Sequence, residues 1–333
     1  MDRFISIPID ATGLIPDQQI VSAVRDAMNE PYAFTDIFIY SHGWWTNAND
    51  SMGEYSKALI EFGKTVYYLP EGSLTQPPAR SFGIGIHWPS TLSEDAQSVP
   101  ELFQPFSFYQ MEKRGDTVGY NALYALAQLM YQARFATTPP SPFRLTLLGH
   151  SFGCRAICRG IHRLYDEISV PGASADFKNF VLGLKINLVL LQAAFEGVDL
   201  DDNQRYANLK LFPQLRILAT HSDEDVALRK WFPIAETINI LSPEPGNRQA
   251  LGYAGPTAAT AQAYQPKSIS IDSGYAPQAG AAPVLLSPPN RMLVADLTPL
   301  HQTDDYAGDA LSGHHSDIFQ PEIYRLIAQF AFN

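Results

Sequence analysis

Ser151 stands between two glycines in the stretch Gly149-His150-Ser151-Phe152-Gly153. An apolar, β-rich run, FRLTLL at 143–148, leads into it, and CRAICRGIHRLYDEI at 154–168 leaves it with helical spacing. A G-x-S-x-G pattern on a strand-to-helix turn suits a nucleophile. The serine adopts a strained backbone that pushes its Oγ out of the sheet, and the flanking positions must be tiny because the turn crowds them. The helix that follows also favours negative charge developing at its start. The competing reading is an ordinary glycine-rich turn. It is weakened by the order strand, motif, helix, which is much rarer than the five residues alone.

A serine needs a base, and the chain has eight histidines. His150 sits within the turn and is expected to point away from Oγ. His42 precedes a candidate oxyanion turn, His87 ends a strand, His162 lies on a helix, and His221 and His301 fall on connections. That leaves His314 and His315 in SGHHSDIF, after the last strand and before the last helix. His315 is the chosen base and His314 the alternative. The third member should be a carboxylate that fixes the imidazole tautomer. The order serine, acid, histidine points to THSDEDVAL at 220–228, where Asp225 is favoured and Asp223 is the alternative. Oxyanion donors are expected from the backbone N–H of Phe152 and from Trp44 in SHGWWTN, where Gly43 permits an unusual backbone. Trp45 is the near alternative donor. The substrate pocket is expected to use Trp45, Trp88, Phe103 and Phe106. A metal-dependent reading of Asp304, Asp305, Asp309, His314, His315 and Asp317 is weaker, because their spacing matches no recognised ligand set. No metal or cofactor is expected.

The elements that must position these residues alternate strand and helix. Strands are predicted at 3–9, 35–41, 81–87, 143–149, 184–194, 214–220 and 291–298, and helices at 17–30, 51–63, 116–135, 152–168 and 320–331. Asp50 or Ser51, with Glu54, reads as a capping box for the second helix. Near-continuous apolar strands separated by helices predict an α/β fold, with a parallel sheet covered on both faces. A single domain over 1–333 is expected. Within it, 90–115, rich in Phe and Tyr, is a candidate cap loop. The Pro-, Gly- and Ala-rich stretch 242–290 reads as an insertion near the active site, since it is too long for an ordinary connection.

Composition narrows the function classes. The chain has 333 residues, 46% of them hydrophobic, and a net charge of −11, which disfavours nucleic-acid binding and anionic membranes. No apolar run approaches the roughly 18 residues of a membrane span, and MDRFISIPID does not read as a signal peptide. Cys154 and Cys158 read as buried free thiols, and a cytoplasmic location is the default.

His42-Gly43-Trp44, Gly149–Gly153, Asp225 and His315, in that order over 35–331, resemble the α/β-hydrolase superfamily. Trp88-Pro89-Ser90 and Ser222-x-x-Asp225-x-Ala227-Leu228 are similar to a bacterial group of that superfamily with no assigned function. The resemblance implies a mostly parallel eight-stranded sheet and Ser-Asp-His hydrolysis, and it supports Asp225. It supplies no substrate. The expected activity is a carboxylesterase-like serine hydrolase acting on a small-molecule acyl ester. Lipase, thioesterase or acyltransferase chemistry and a non-catalytic binding protein of the same fold are the alternatives.

Overall fold

A computed structural model describes residues 3–29, 34–43, 48–71, 73–75, 78, 80–91, 104–135, 143–234, 249–276, 291–303 and 312–333, with backbone alone at 48–52, 54–56, 104–109 and 134–135. In chain order the first elements are β1 (Arg3–Pro8), α1 (Gln18–Met28), β2 (Asp36–Ser41), α2 (Ala48–Tyr68) and β3 (Ser81–His87). Then come α3 (Gln104–Val118), a π-helical turn (Gly119–Leu123), α4 (Tyr124–Phe135), β4 (Arg144–His150) and α5 (Phe152–Ser169). They are followed by α6 (Ala175–Gly183), β5 (Lys185–Leu191), β6 (Leu215–His221), α7 (Leu251–Ala254), α8 (Ala258–Tyr264) and β7 (Lys267–Ser270). The last are β8 (Met292–Asp296), α9 (Thr298–Thr303) and α10 (Pro321–Phe332).

The strands form one eight-stranded sheet in the order β1-β3-β2-β4-β5-β6-β8-β7. Every strand pair within this sheet is parallel, so the protein is an α/β fold. Alternation along the strands makes two cores. Ile37 and Ile39 of β2 join Leu145 and Leu147 of β4 on one face, where Val24 of α1, Leu126 of α4 and Ile157 and Ile161 of α5 cover them. Phe38 and Tyr40 turn to the other face with Leu148 and Val189, under Leu59 and Phe62 of α2 and Leu326 and Ile327 of α10. Burial on both faces is why these strands read as nearly unbroken apolar runs.

Several boundaries differ from the sequence reading. Helix predicted from 116 begins at Gln104, so Pro105 falls in the first helical turn, where a missing N–H costs nothing. Half of the candidate cap loop is therefore helix. Helix α2 starts at Ala48, which puts Asp50, Ser51 and Glu54 inside it rather than at its cap. The stretch 242–290 contains α7, α8 and the edge strand β7, none of which its composition suggests. In β7 only Ile269 is partly covered, so KSIS lacks the apolar signature of an inner strand. Helix α6 also lies outside the predicted elements. It is short, but it carries a clear cap, since the Ser174 side chain accepts from the Phe177 N–H. His221 ends β6 and His301 lies on α9, rather than on connections.

Candidate functional site

Parallel strands deliver their carboxyl ends to one edge of the sheet, and ligand sites in such folds gather there, where the strand order reverses. That edge carries His42 after β2, Ser151 after β4, Gln192 after β5, Asp225 after β6 and His315 beyond β8. β2 and β4 are neighbours although β3 lies between them in sequence, so Ser151 sits at the reversal.

Ser151 has φ 55° and ψ −121°, a left-handed conformation rare for a residue with a Cβ. Such backbone strain costs on the order of 1–3 kcal/mol and persists only where the surroundings enforce it. Here its N–H donates to the Leu191 carbonyl at 3.1 Å, while its own carbonyl accepts from Cys154 and Ala194 at 3.1 and 3.2 Å. The flanking glycines are demanded by space. A Cβ on Gly153 would lie 2.0 Å from the Ser41 carbonyl oxygen, and one on Gly149 would lie 2.6 Å from the Cys154 backbone. Gly43 faces the turn from β2, where a Cβ would come within 2.8 Å of the Ser151 Cβ.

The hydroxyl of Ser151 donates to His315 Nε2 at 2.8 Å. On the far side of the ring, His315 Nδ1–H donates to Asp225 Oδ2 at 2.7 Å. Asp225 is fully buried, and its other oxygen accepts the Leu228 N–H at 2.9 Å. The carboxylate is thus fixed from both sides, which leaves the imidazole one tautomer. Ser151, Asp225 and His315 are therefore brought together in a continuous hydrogen-bonded chain.

The alternatives lie elsewhere. Asp223 is exposed, with its N–H on Thr298 Oγ1. His314 stacks on His301 at 4.9 Å between ring centroids, and its Nδ1 lies 3.3 Å from Asp317 Oδ2. Phe152 opens α5, directly after the serine. Trp44, Trp45 and Phe103 lie outside the described residues, as do Asp304, Asp305 and Asp309, and the side chain of Phe106 is likewise not described. Trp88, expected in the substrate pocket, is instead fully buried beneath the β2 turn. Its indole stacks on His42 at 5.2 Å and donates to Ser41 Oγ at 3.2 Å.

Two residues given no site role in the sequence reading hold the loop of His315 in place. His150 Nε2–H donates to the His315 carbonyl at 2.9 Å. Burial, helped by the neighbouring His315, lowers its pKa to about 3, so it stays a neutral donor. Gln192 has φ 44° and donates from Nε2 to the His314 carbonyl at 3.2 Å, while its backbone N–H is held by Thr220 Oγ1 at 3.0 Å. Consecutive carbonyls of the histidine loop are thus pinned from the ends of β4 and β5. An antiparallel bridge between Asp225 and Gly313 ties the same loop to the turn that carries Asp225. His42 is also held neutral, with its pKa lowered by burial to about 3. Its Nδ1–H donates to the Gly43 carbonyl at 2.7 Å and its Nε2 accepts the Trp88 N–H at 3.2 Å.

No family model matches the chain, and no curated protein matches it. Among solved structures it is similar to the Tle1 effector bound to the VgrG spike from the Type 6 secretion system, at 12% identity and a TM-score of 0.23. That match takes in 57% of this chain and 45% of the effector's, and so spans less than half of that protein. Among the described residues no helix is long and apolar enough to cross a membrane.

Proposed function

We propose that the chain is a serine hydrolase with an α/β-hydrolase arrangement, cleaving a small carboxylic ester through an acyl-enzyme. The observation that carries this is the Ser151–His315–Asp225 chain, at 2.8 and 2.7 Å, with the serine on a strained turn. A triad is recognised by such geometry and roles rather than by sequence position.

In this reading His315 Nε2 takes the Ser151 proton as Oγ attacks the acyl carbonyl. Asp225 stabilises the resulting imidazolium through Nδ1–H. The oxyanion that forms lies at the start of α5, where the Phe152 N–H and the positive end of the helix favour it. Trp44 N–H is the expected second donor. His315 then returns the proton to the leaving alkoxide. In the second half, water enters by the reverse steps, the acyl group leaves as a free acid, and Ser151 is restored. The test is p-nitrophenyl acetate turnover by purified protein. Ser151→Ala should lower kcat by at least about 10³-fold. Turnover unchanged in Ser151→Ala would sink the proposal.

A further inference from the structure

The opposite edge of the sheet, where the strands begin, holds a second concentration of chemistry. Arg144 starts β4, Lys185 starts β5, Arg216 is second in β6, and Arg291 directly precedes β8. Parallel strands bring these starts to one edge, and all four cations line a single cavity of about 310 Å³. Among the described residues no acidic side chain lines it, in a chain whose net charge is −11.

The charges there are unequally answered. Arg144 is paired, its Nε 2.6 Å from Asp36 Oδ1. The partners of Arg216 among the described residues are neutral: Nε and Nη2 share Asn187 Oδ1 at 3.1 and 2.7 Å, and Nη2 also reaches the Phe330 carbonyl at 2.9 Å. Burial and the charge of Arg144 both push the Arg216 guanidinium down from its usual range, which is the electrostatic sign of a cation lacking a counter-charge. Arg291 gives only Nη1 to backbone carbonyls, those of Lys210 and Phe212 at 3.4 and 2.9 Å. Its Nε and Nη2 have no partner among the described residues. Lys185 is exposed and has no ion pair among them. Gathering partly buried cations costs free energy unless an anion offsets them, and guanidinium forks match the oxygens of phosphate or carboxylate in pairs.

We propose that this cavity is a binding site for a small organic phosphate, its oxygens held by Lys185, Arg216 and Arg291 and its apolar body against the exposed Pro213. Three cations beyond the Arg144–Asp36 pair, set against at most the main-chain carboxylate of Asn333, leave two or more positive charges for a dianion. The volume is that of a small-molecule site. The site lies at the other end of the strands from Ser151 and does not depend on the hydrolase reading.

The test is calorimetric titration of the full chain with phenyl phosphate, inorganic phosphate and benzoate at matched ionic strength. Phenyl phosphate should bind saturably and tightest of the three. Arg291→Gln and Lys185→Gln should each weaken it by about tenfold, the loss of one charge-assisted contact. Lys185 is exposed, so its variant keeps the test intact if Arg291→Gln fails to fold. Three results would overturn the proposal: no saturable binding below about 10 mM, a free energy of under 3 kcal/mol; equal affinity in wild type and both variants; or benzoate binding more tightly than phenyl phosphate.

Discussion

Asp225 and Asp223 are two residues apart in one acidic turn, and their surroundings separate them completely. Asp225 is fully buried with both oxygens engaged, whereas Asp223 faces solvent. Asp225→Asn would place an amide against Nδ1 and favour the wrong imidazole tautomer. We expect kcat for ester turnover to fall by about 10³–10⁴-fold, with Asp223→Asn within about twofold of wild type. Comparable losses in both variants would remove Asp225 from the proposed role. Ser151, Asp225 and His315 were legible in the sequence because their types, chain order and flanking elements together leave few choices. Gln192 and His150 were not. Their partners are backbone carbonyls 122 and 165 residues away, and no local pattern encodes such a contact.

At the scale of elements, the turn after β4 is held by close approach and the histidine loop by hydrogen bonds. Gly153→Ala would drive a Cβ to 2.0 Å from the Ser41 carbonyl oxygen, backbone against backbone, with no flexible side chain to yield. It should destabilise the fold by more than about 4 kcal/mol in urea unfolding, the range of severe core changes. Gly53 lies exposed within α2, where an added Cβ would meet no atom within 4 Å, and Gly53→Ala should instead stabilise by about 0.5–1 kcal/mol. If the two alanines behaved alike, steric demand at the turn would not be the explanation. Gln192→Ala releases one pinned carbonyl of the histidine loop. It should lower kcat by about 10–100-fold with KM little changed, because misplacing a reacting group by about 1 Å costs that much. A change in KM alone would mean that Gln192 acts on binding instead. The inner strands were legible from their apolar runs, since both faces are covered. Edge strand β7 was not, because exposure on the edge permits Lys and Ser, and β7 carries no periodic signal.

Over the whole molecule, buried imidazoles make stability depend on pH. His42 and His150 are held near pKa 3 in the folded protein, against 6.5 for an ordinary histidine. Burial lowers His87 as well. Between those values the unfolded chain binds protons that the folded chain refuses, so stability is full above about pH 6.5 and is lost as pH falls. Asp199 runs the other way. Burial raises its carboxyl from 3.8 to about 7, so its contribution is present at low pH and declines through that window. The two imidazoles held near 3, set against one carboxyl, leave a net rise in stability from about pH 4 to pH 6.5 with a slope on the order of 1.4 kcal/mol per pH unit, and His87 acts in the same direction. Urea midpoints measured across that range should climb with pH, and flat or falling midpoints would contradict the burial argument. The parallel sheet also gives the molecule two chemically different edges, with a serine, an imidazole and a carboxylate at one and a cationic cavity at the other. Covalent labelling reports on the nucleophilicity of Ser151 at the first edge. Reaction with a fluorophosphonate followed by peptide mass mapping should give one adduct per chain, on Ser151, and none in Ser151→Ala. An unmodified Ser151, or equal labelling of the alanine variant, would contradict it.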